Sequence, residues 1–403
     1  MRTLGERGSF GAAAAVAGLA LWSSAAPTMV YPLYLHEWGL NPAVTTAIFA
    51  AYPMVLIPVL LVFGNLSDVI GRRASILIGL AALLAGTVAF GLATDLGWVF
   101  AGRALQGLGV GLALSPATAA MIEFGGAARA ALASSTTTAA TAGGLALATL
   151  VGGWLVQYAP AKMHLTFWVL AAVTTAVLCV AWYLPRTLGP AGGHWRPRTV
   201  RIPAGVRIPF TAGTLGISTA YALGAVYLAL GAQIARDLVG STNALVSGAI
   251  ISVSAVVIGV VAVAARRLAP RIAVTVGPVL VLVALLLLDY AGVLQSLPLF
   301  LGSSVIGGAG YSLMFAGGLG LITAAAPAQH RGAMISLAYV IGYAVQAAAA
   351  LVLGAIATTA GLQTAIEVAT PTLTLIGLAA LVTVRLRRPS PTPVVAEVPL
   401  PIR

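Results

Sequence analysis

The sequence predicts an all-α membrane protein, with twelve transmembrane helices in two six-helix pseudo-repeat halves. Three observations predict it. First, 60% of the residues are hydrophobic and only 7% charged, at a mean hydropathy of +1.02. A soluble domain carries about 25% charged residues and needs them to coat its surface. This excludes a soluble enzyme, a nucleic-acid-binding domain and a disordered chain. Second, the 403 residues have room for about twelve apolar helices of ~20 residues with short loops. Third, the basic residues gather in alternate loops.

Breaks at charges, Pro and Gly place the spans near 10–35, 44–63, 74–94, 97–121, 132–157, 164–184, 210–235, 243–265, 272–290, 297–325, 332–358 and 364–384. The first run follows Arg2 and Arg7 and passes small residues at Ser23–Ala26, as a secretory signal would. It continues through Tyr31 and Leu35, longer than a signal core, and reads as a span. With the N-terminus inside, the inner segments hold 18 arginines, while the outer loops hold only Lys162 and Arg236. That bias puts both termini in the cytoplasm and explains a net charge of +12 without nucleic acid. Compact loops and twenty Arg against one Lys suggest a bacterial inner membrane.

Residues 185–209, rich in Pro, Gly and Arg, read as a cytoplasmic basic linker resting on anionic headgroups. The linker separates an N-terminal half (1–184) from a C-terminal half (210–388), and a tail with five prolines (389–403) follows. A shift of about 200 residues lines up Phe100, Gly102 and Gly107 with Phe300, Gly302 and Gly307, and Arg72 with Arg271. Repeated halves are a transporter arrangement, with the site between them near the midplane.

Motifs sharpen this. Between the second and third spans stands Gly64-Asn65-Leu66-Ser67-Asp68-Val69-Ile70-Gly71-Arg72-Arg73. Gly64 allows close helix approach, Gly71 a tight turn, and Asp68 can face the positive end of a helix; Arg72 and Arg73 are expected at the inner headgroups. The segment resembles the signature loop of the major facilitator superfamily, G-x-L-x-D-x-x-G-R-R/K, matching at Gly64, Leu66, Asp68, Gly71, Arg72 and Arg73. The fourth span, Arg103-Ala104-Leu105-Gln106-Gly107-Leu108-Gly109, is similar to the family's R-x-x-Q-G-x-G. Its glycines have no preceding strand, so they suit helix packing rather than a dinucleotide. In the fifth span Gly144, Gly152 and Gly153 fit the efflux motif G-x-x-x-G-P-x-x-G-G, but Ala148 and Thr149 stand where Gly-Pro belongs.

The resemblance implies the superfamily's fold, and a path lined by spans one, four, seven and ten. On those spans the candidates are Ser24, Thr28 and Tyr31; Arg103 and Gln106; Thr214, Ser218 and Tyr221; and Ser304 and Tyr311. Span eleven adds Tyr339, Tyr343 and Gln346. Offsets of three, four and seven set each group on one helix face. A mildly polar, aromatic-lined cavity suits a small amphipathic organic molecule. Arg103, the one cation deep in a span, costs about 2.5–3.5 kcal/mol to place there; the resemblance gives it a part in coupling or substrate contact. No acidic residue reaches mid-span, which leaves Glu37 or Asp289 to carry a proton.

Four scattered histidines, one cysteine and one lysine without a Gly-rich loop suggest no metal, disulfide, phosphate site or cofactor. A membrane enzyme would need a clustered His/Asp or Ser/His set, and none stands out. The expectation is therefore a monomeric secondary transporter in a lipid bilayer, moving a small molecule against protons by alternating access, most simply as export. Proton-coupled nutrient uptake is the alternative. A non-transporting sensor or scaffold, from another class, is expected to add a soluble domain.

Overall fold

The computed structural model describes residues 3–40, 42–124, 132–186, 202–227, 243–327 and 330–386. Most of the basic linker and the whole Pro-rich tail lie outside these residues, as do Arg129 and Arg236.

The described residues are almost entirely helical, and the helices fall on the twelve segments read from the sequence. The first span comprises α1 (Glu6–Ala25), a 3-10 turn (Ala26–Met29) and α2 (Tyr31–Glu37). Then come α3 (Pro42–Phe63), the short α4 (Leu66–Ile70), α5 (Arg72–Gly91), α6 (Leu96–Phe124), α7 (Ala133–Tyr158) and α8 (Leu165–Ala181). The second half holds α9 (Arg207–Val226), α10 (Ala244–Ala264), α11 (Pro270–Val293), α12 (Leu297–Ala325), α13 (Arg331–Ala360) and α14 (Leu362–Arg385). Among the described residues, nine segments are long and apolar enough to cross a membrane. The first span is broken because Pro27 enters the turn and Pro32 opens α2; proline lacks the N–H that would continue an α-helical ladder.

Lipid offers helices no hydrophobic reward for associating, so small residues must bring backbones into contact. The glycines of α6 do so on two faces. A Cβ at Gly109 would lie 2.6 Å from the Gly79 carbonyl, and one at Gly102 would meet Phe90 at 2.6 Å, both on α5. Gly107 and Gly111, one turn apart, press instead on α3 at Tyr52 and Val59. In the second half Gly213 of α9 and Gly318 of α12 approach each other in the same manner. The heaviest packing pairs α5 with α6 and α11 with α12, at matching places in the two halves.

Between the halves, α7 lies along α10, α3 meets α13, and α12 touches α7. The end of the bundle that carries Glu6, Arg72, Glu123, Arg331 and Arg385 is called here the terminal end, and the opposite end the far end. At the far end the Asn243 amide donates to the Tyr158 hydroxyl (3.2 Å) and the Ala244 N–H to Gln157 Oε1 (2.9 Å), tying α10 to α7.

Candidate functional site

A cavity of about 1180 Å³ of empty space, part of it open to solvent, lies between the halves. Ser24, Thr28, Tyr221, Ser304, Tyr311, Tyr343 and Gln346 line it, as do Phe49, Tyr52, Leu145, Tyr227, Ile250, Ser254 and Phe300. None of its described lining residues is charged. Aromatic contacts form one wall: the Tyr221 and Tyr343 rings are 4.7 Å apart, and Tyr52 meets Tyr343 edge-on at 6.3 Å. Beneath the cavity Phe315 stacks on Tyr221 at 5.5 Å and on Tyr339 at 6.2 Å. The Tyr227 hydroxyl donates to the Ser303 carbonyl (2.7 Å), which fixes its ring beside Gly307.

Arg103 and Gln106 stand behind that lining, both fully buried. Arg103 Nη1 donates to the Ser24 carbonyl (2.8 Å) and to Gln106 Oε1 (3.2 Å), and Nε donates to the Ile48 carbonyl (3.3 Å). Its guanidinium lies 5.4–5.9 Å from the rings of Tyr31, Phe49 and Tyr52. Arg103 Nη2 and Gln106 Nε2 have no acceptor among the described residues. The residue therefore does not reach up to the surface; α1 and α3 enclose it.

The terminal end is closed by a polar cluster that joins the halves. Arg72 donates through Nη2 to Glu123 (2.8 Å), through Nη1 to Ser67 (2.6 Å), and pairs with Asp68. Asp68 and the Arg72 guanidinium both press on Gly332, in the first turn of α13, where a Cβ would lie 2.9 Å from each. Ser115 Oγ donates to the Gly332 carbonyl (3.2 Å). Ser336 Oγ stands 2.8 Å from Ser115 Oγ and 3.2 Å from the Gly64 carbonyl, so its single proton serves one of them at a time. Thr118 and Tyr339 meet at 3.4 Å. Gly64 is obligatory, since a Cβ there would strike Ser336 Cβ at 2.8 Å. Gly71 turns the chain from α4 into α5 at φ +90°, a left-handed conformation that favours glycine. Burial pushes the Asp68 carboxyl above the usual carboxylate range, and the attraction of Arg72 offsets only part of that.

The sequence expectations fare unevenly. Arg72 and Arg73, expected at the headgroups, are 5% and 8% exposed. Two carboxylates hold Arg72, and Arg73 lies over the Trp182 ring at 5.3 Å; protein groups supply what headgroups were expected to supply. Leu66 opens α4 within the motif loop. Glu123, at the end of α6, is a partner of Arg72. Tyr31, Thr214, Ser218 and Tyr339 are buried but do not line the cavity: Tyr31 faces Arg103, and Tyr339 belongs to the closed end. Glu37 is exposed and makes no ion pair with Arg103. Phe49, Tyr52, Tyr227, Ser254 and Phe300 were missed. Phe49 and Tyr52, one turn apart in a span of aliphatic residues, carried a readable signal.

A two-halved helical bundle with a polar, aromatic cavity at its middle and one end sealed is the architecture of a membrane transporter. The sequence profile of the Major Facilitator Superfamily matches residues 12–273, and the chain belongs to that superfamily: it is a transporter, not an enzyme. Among curated relatives, the puromycin resistance protein pur8 of Streptomyces alboniger is 30% identical over 129 residues, 32% of this chain and 25% of that protein. An uncharacterized MFS-type transporter of Mycobacterium tuberculosis is 32% identical over 129 residues, 32% of this chain and 31% of that protein. The chain thus aligns with a quarter to a third of the length of these relatives. Two solved structures share the fold: the human organic anion transporter MFSD10 (TM-score 0.75, 16% identity, 94% of this chain and 99% of that one) and the peptide transporter POT (TM-score 0.70, 17% identity, 94% and 95%).

Proposed function

We propose that the protein exports a small amphipathic organic compound across a bacterial inner membrane in exchange for protons, by alternating access, as a monomer with both termini in the cytoplasm. The observation that carries this is the pairing of an uncharged aromatic cavity with a terminal end locked by the Asp68–Arg72–Glu123 cluster against α13. On this reading the pairing is one of two alternating conformers, the one whose cavity faces outward. The chemistry of the lock is reversible: hydrogen bonds and ion pairs exchange for water when the end opens. The partial likeness to a puromycin resistance protein supports the outward direction. Arg103, with Gln106 one turn on, is the group proposed for coupling or substrate contact. A spare donor on each stands within a shell of neutral acceptors.

The test is reconstitution into liposomes with an imposed proton gradient and a panel of fluorescent amphipathic compounds. Accumulation is expected with the gradient and no ATP, and collapse on adding a protonophore. Uptake that persists without a gradient and responds only to ATP would refute the reading.

A further inference from the structure

We infer that the cargo is an aromatic or alkyl-aromatic organic monoanion, a carboxylate rather than an amine, and that Arg103 selects it. The inference rests on the transport reading of the cavity and names its substrate class. Among the described residues, none that lines the cavity is charged. Among the described residues, the guanidinium of Arg103 lies beside it, fully buried behind the wall formed by Ser24, Phe49 and Tyr52. Among the described residues no carboxylate lies within ion-pair distance of it. Its acceptors are two main-chain carbonyls and an amide oxygen, all neutral, and Nη2 has none. At the terminal end, by contrast, Arg72 is matched by two carboxylates. A buried charge that neutral groups solvate but do not cancel leaves a positive potential in the space beside it.

Shape agrees with charge. The aromatic walls give an apolar ring system its stacking surface. The same walls without Arg103 would equally suit an organic cation, through the faces of Tyr221, Tyr311 and Tyr343; the guanidinium one side-chain layer away decides against it. The anion's head is expected on the Ser24–Tyr52 side, where the guanidinium buried behind the wall acts through its charge, and its rings against Tyr221 and Tyr343. At the effective dielectric of a protein interior, a unit charge about 8 Å from the guanidinium is favoured over a neutral isostere by about tenfold or more.

The test uses the purified full chain and a matched series: benzoate, 2-naphthoate and 4-biphenylcarboxylate, each with its amide and its aminomethyl cation, binding being measured by calorimetry. The wild type is expected to bind at least one carboxylate about tenfold more tightly than its amide, and the amines least. R103Q should bring carboxylate and amide within about twofold of each other. R103K, which keeps the charge, should retain most of the preference. Equal or tighter binding of the amides or amines by the wild type overturns the inference, as does failure of every carboxylate to bind; the wild-type comparison stands even if a variant does not fold. Flux separates the two readings. Proton-driven flux of a neutral or cationic probe refutes the charge selection and leaves export standing. Arg103-dependent carboxylate binding without flux does the reverse.

Discussion

Two side chains carry the sharpest expectations. Asp68 is held above the ordinary carboxylate pKa in the closed terminal end; once that end opens and water reaches it, it should titrate near the ordinary ~3.9. A group whose pKa is raised in one conformer favours that conformer when protonated. The closed end therefore gains from acid: the gain is complete below the ordinary carboxylate pKa and is lost as pH rises through the raised value. Asp68→Asn imitates the protonated state at every pH. It is expected to insert normally, stay closed at the terminal end and transport at under about a tenth of the wild-type rate, and probing a cysteine placed at Ser336 with a thiol reagent should show the loss of access. Near-normal transport by this variant would defeat the assignment. Arg103 is fixed by a planar fork to the carbonyls of Ser24 and Ile48 and to Gln106. Lysine cannot span three such acceptors. Both Arg103→Lys and Arg103→Ala should reach the membrane and lose most transport, and wild-type flux from the lysine variant would show that charge alone suffices. The sequence made Arg103 conspicuous, because an ionised side chain deep in a span demands a reason. It did not reveal the partners, because a main-chain carbonyl has no signature in the sequence.

At the scale of helices, the spans were legible almost to their ends, since hydrocarbon admits only long apolar runs with their backbone bonds made internally. The break in the first span was legible in principle, from Pro27 and Pro32. The inward faces were harder. Tyr339 and Tyr343 lie one turn apart on α13, yet one belongs to the closed end and the other to the cavity; helical spacing sets a face but not a depth. The glycines of α6 show what packing demands. Gly109→Leu must push α5 away, because a Cβ alone would already lie 2.7 Å from Leu83 Cγ. Its yield of monodisperse protein is expected to fall at least severalfold, measured by size-exclusion chromatography in detergent. Gly143→Ala on α7, where a Cβ meets nothing within 4 Å, should match the wild type. Equal yields from both would deny the glycines of α6 their packing role.

For the molecule as a whole, the halves meet unequally. The α7–α10 contact reaches the far end through Asn243 and Gln157, whereas α3 and α13 are bonded at the terminal end through Gly64 and Ser336. If the protein alternates access as proposed, opening and closing is best pictured as a swing about the α7–α10 seam. One proton entering through about 150 mV releases about 3.5 kcal/mol, enough to hold a gradient of a few hundredfold. If the cargo is a monoanion, its exit adds a second charge to each cycle in the same electrical direction. Transport in proteoliposomes should therefore speed up when the interior of the cargo compartment is made negative, at constant pH. Insensitivity to voltage would exclude that stoichiometry.

Lys162 lies exposed in the short far-end turn between α7 and α8, and it is the only lysine in the chain. That makes the protein its own orientation marker. A membrane-impermeant amine reagent applied to intact cells has one side-chain target, and digestion followed by mass spectrometry should find the label at Lys162 without any engineered tag. Labelling only after the cells are broken would turn the molecule over in its membrane, and the sealed terminal end would then face the outside.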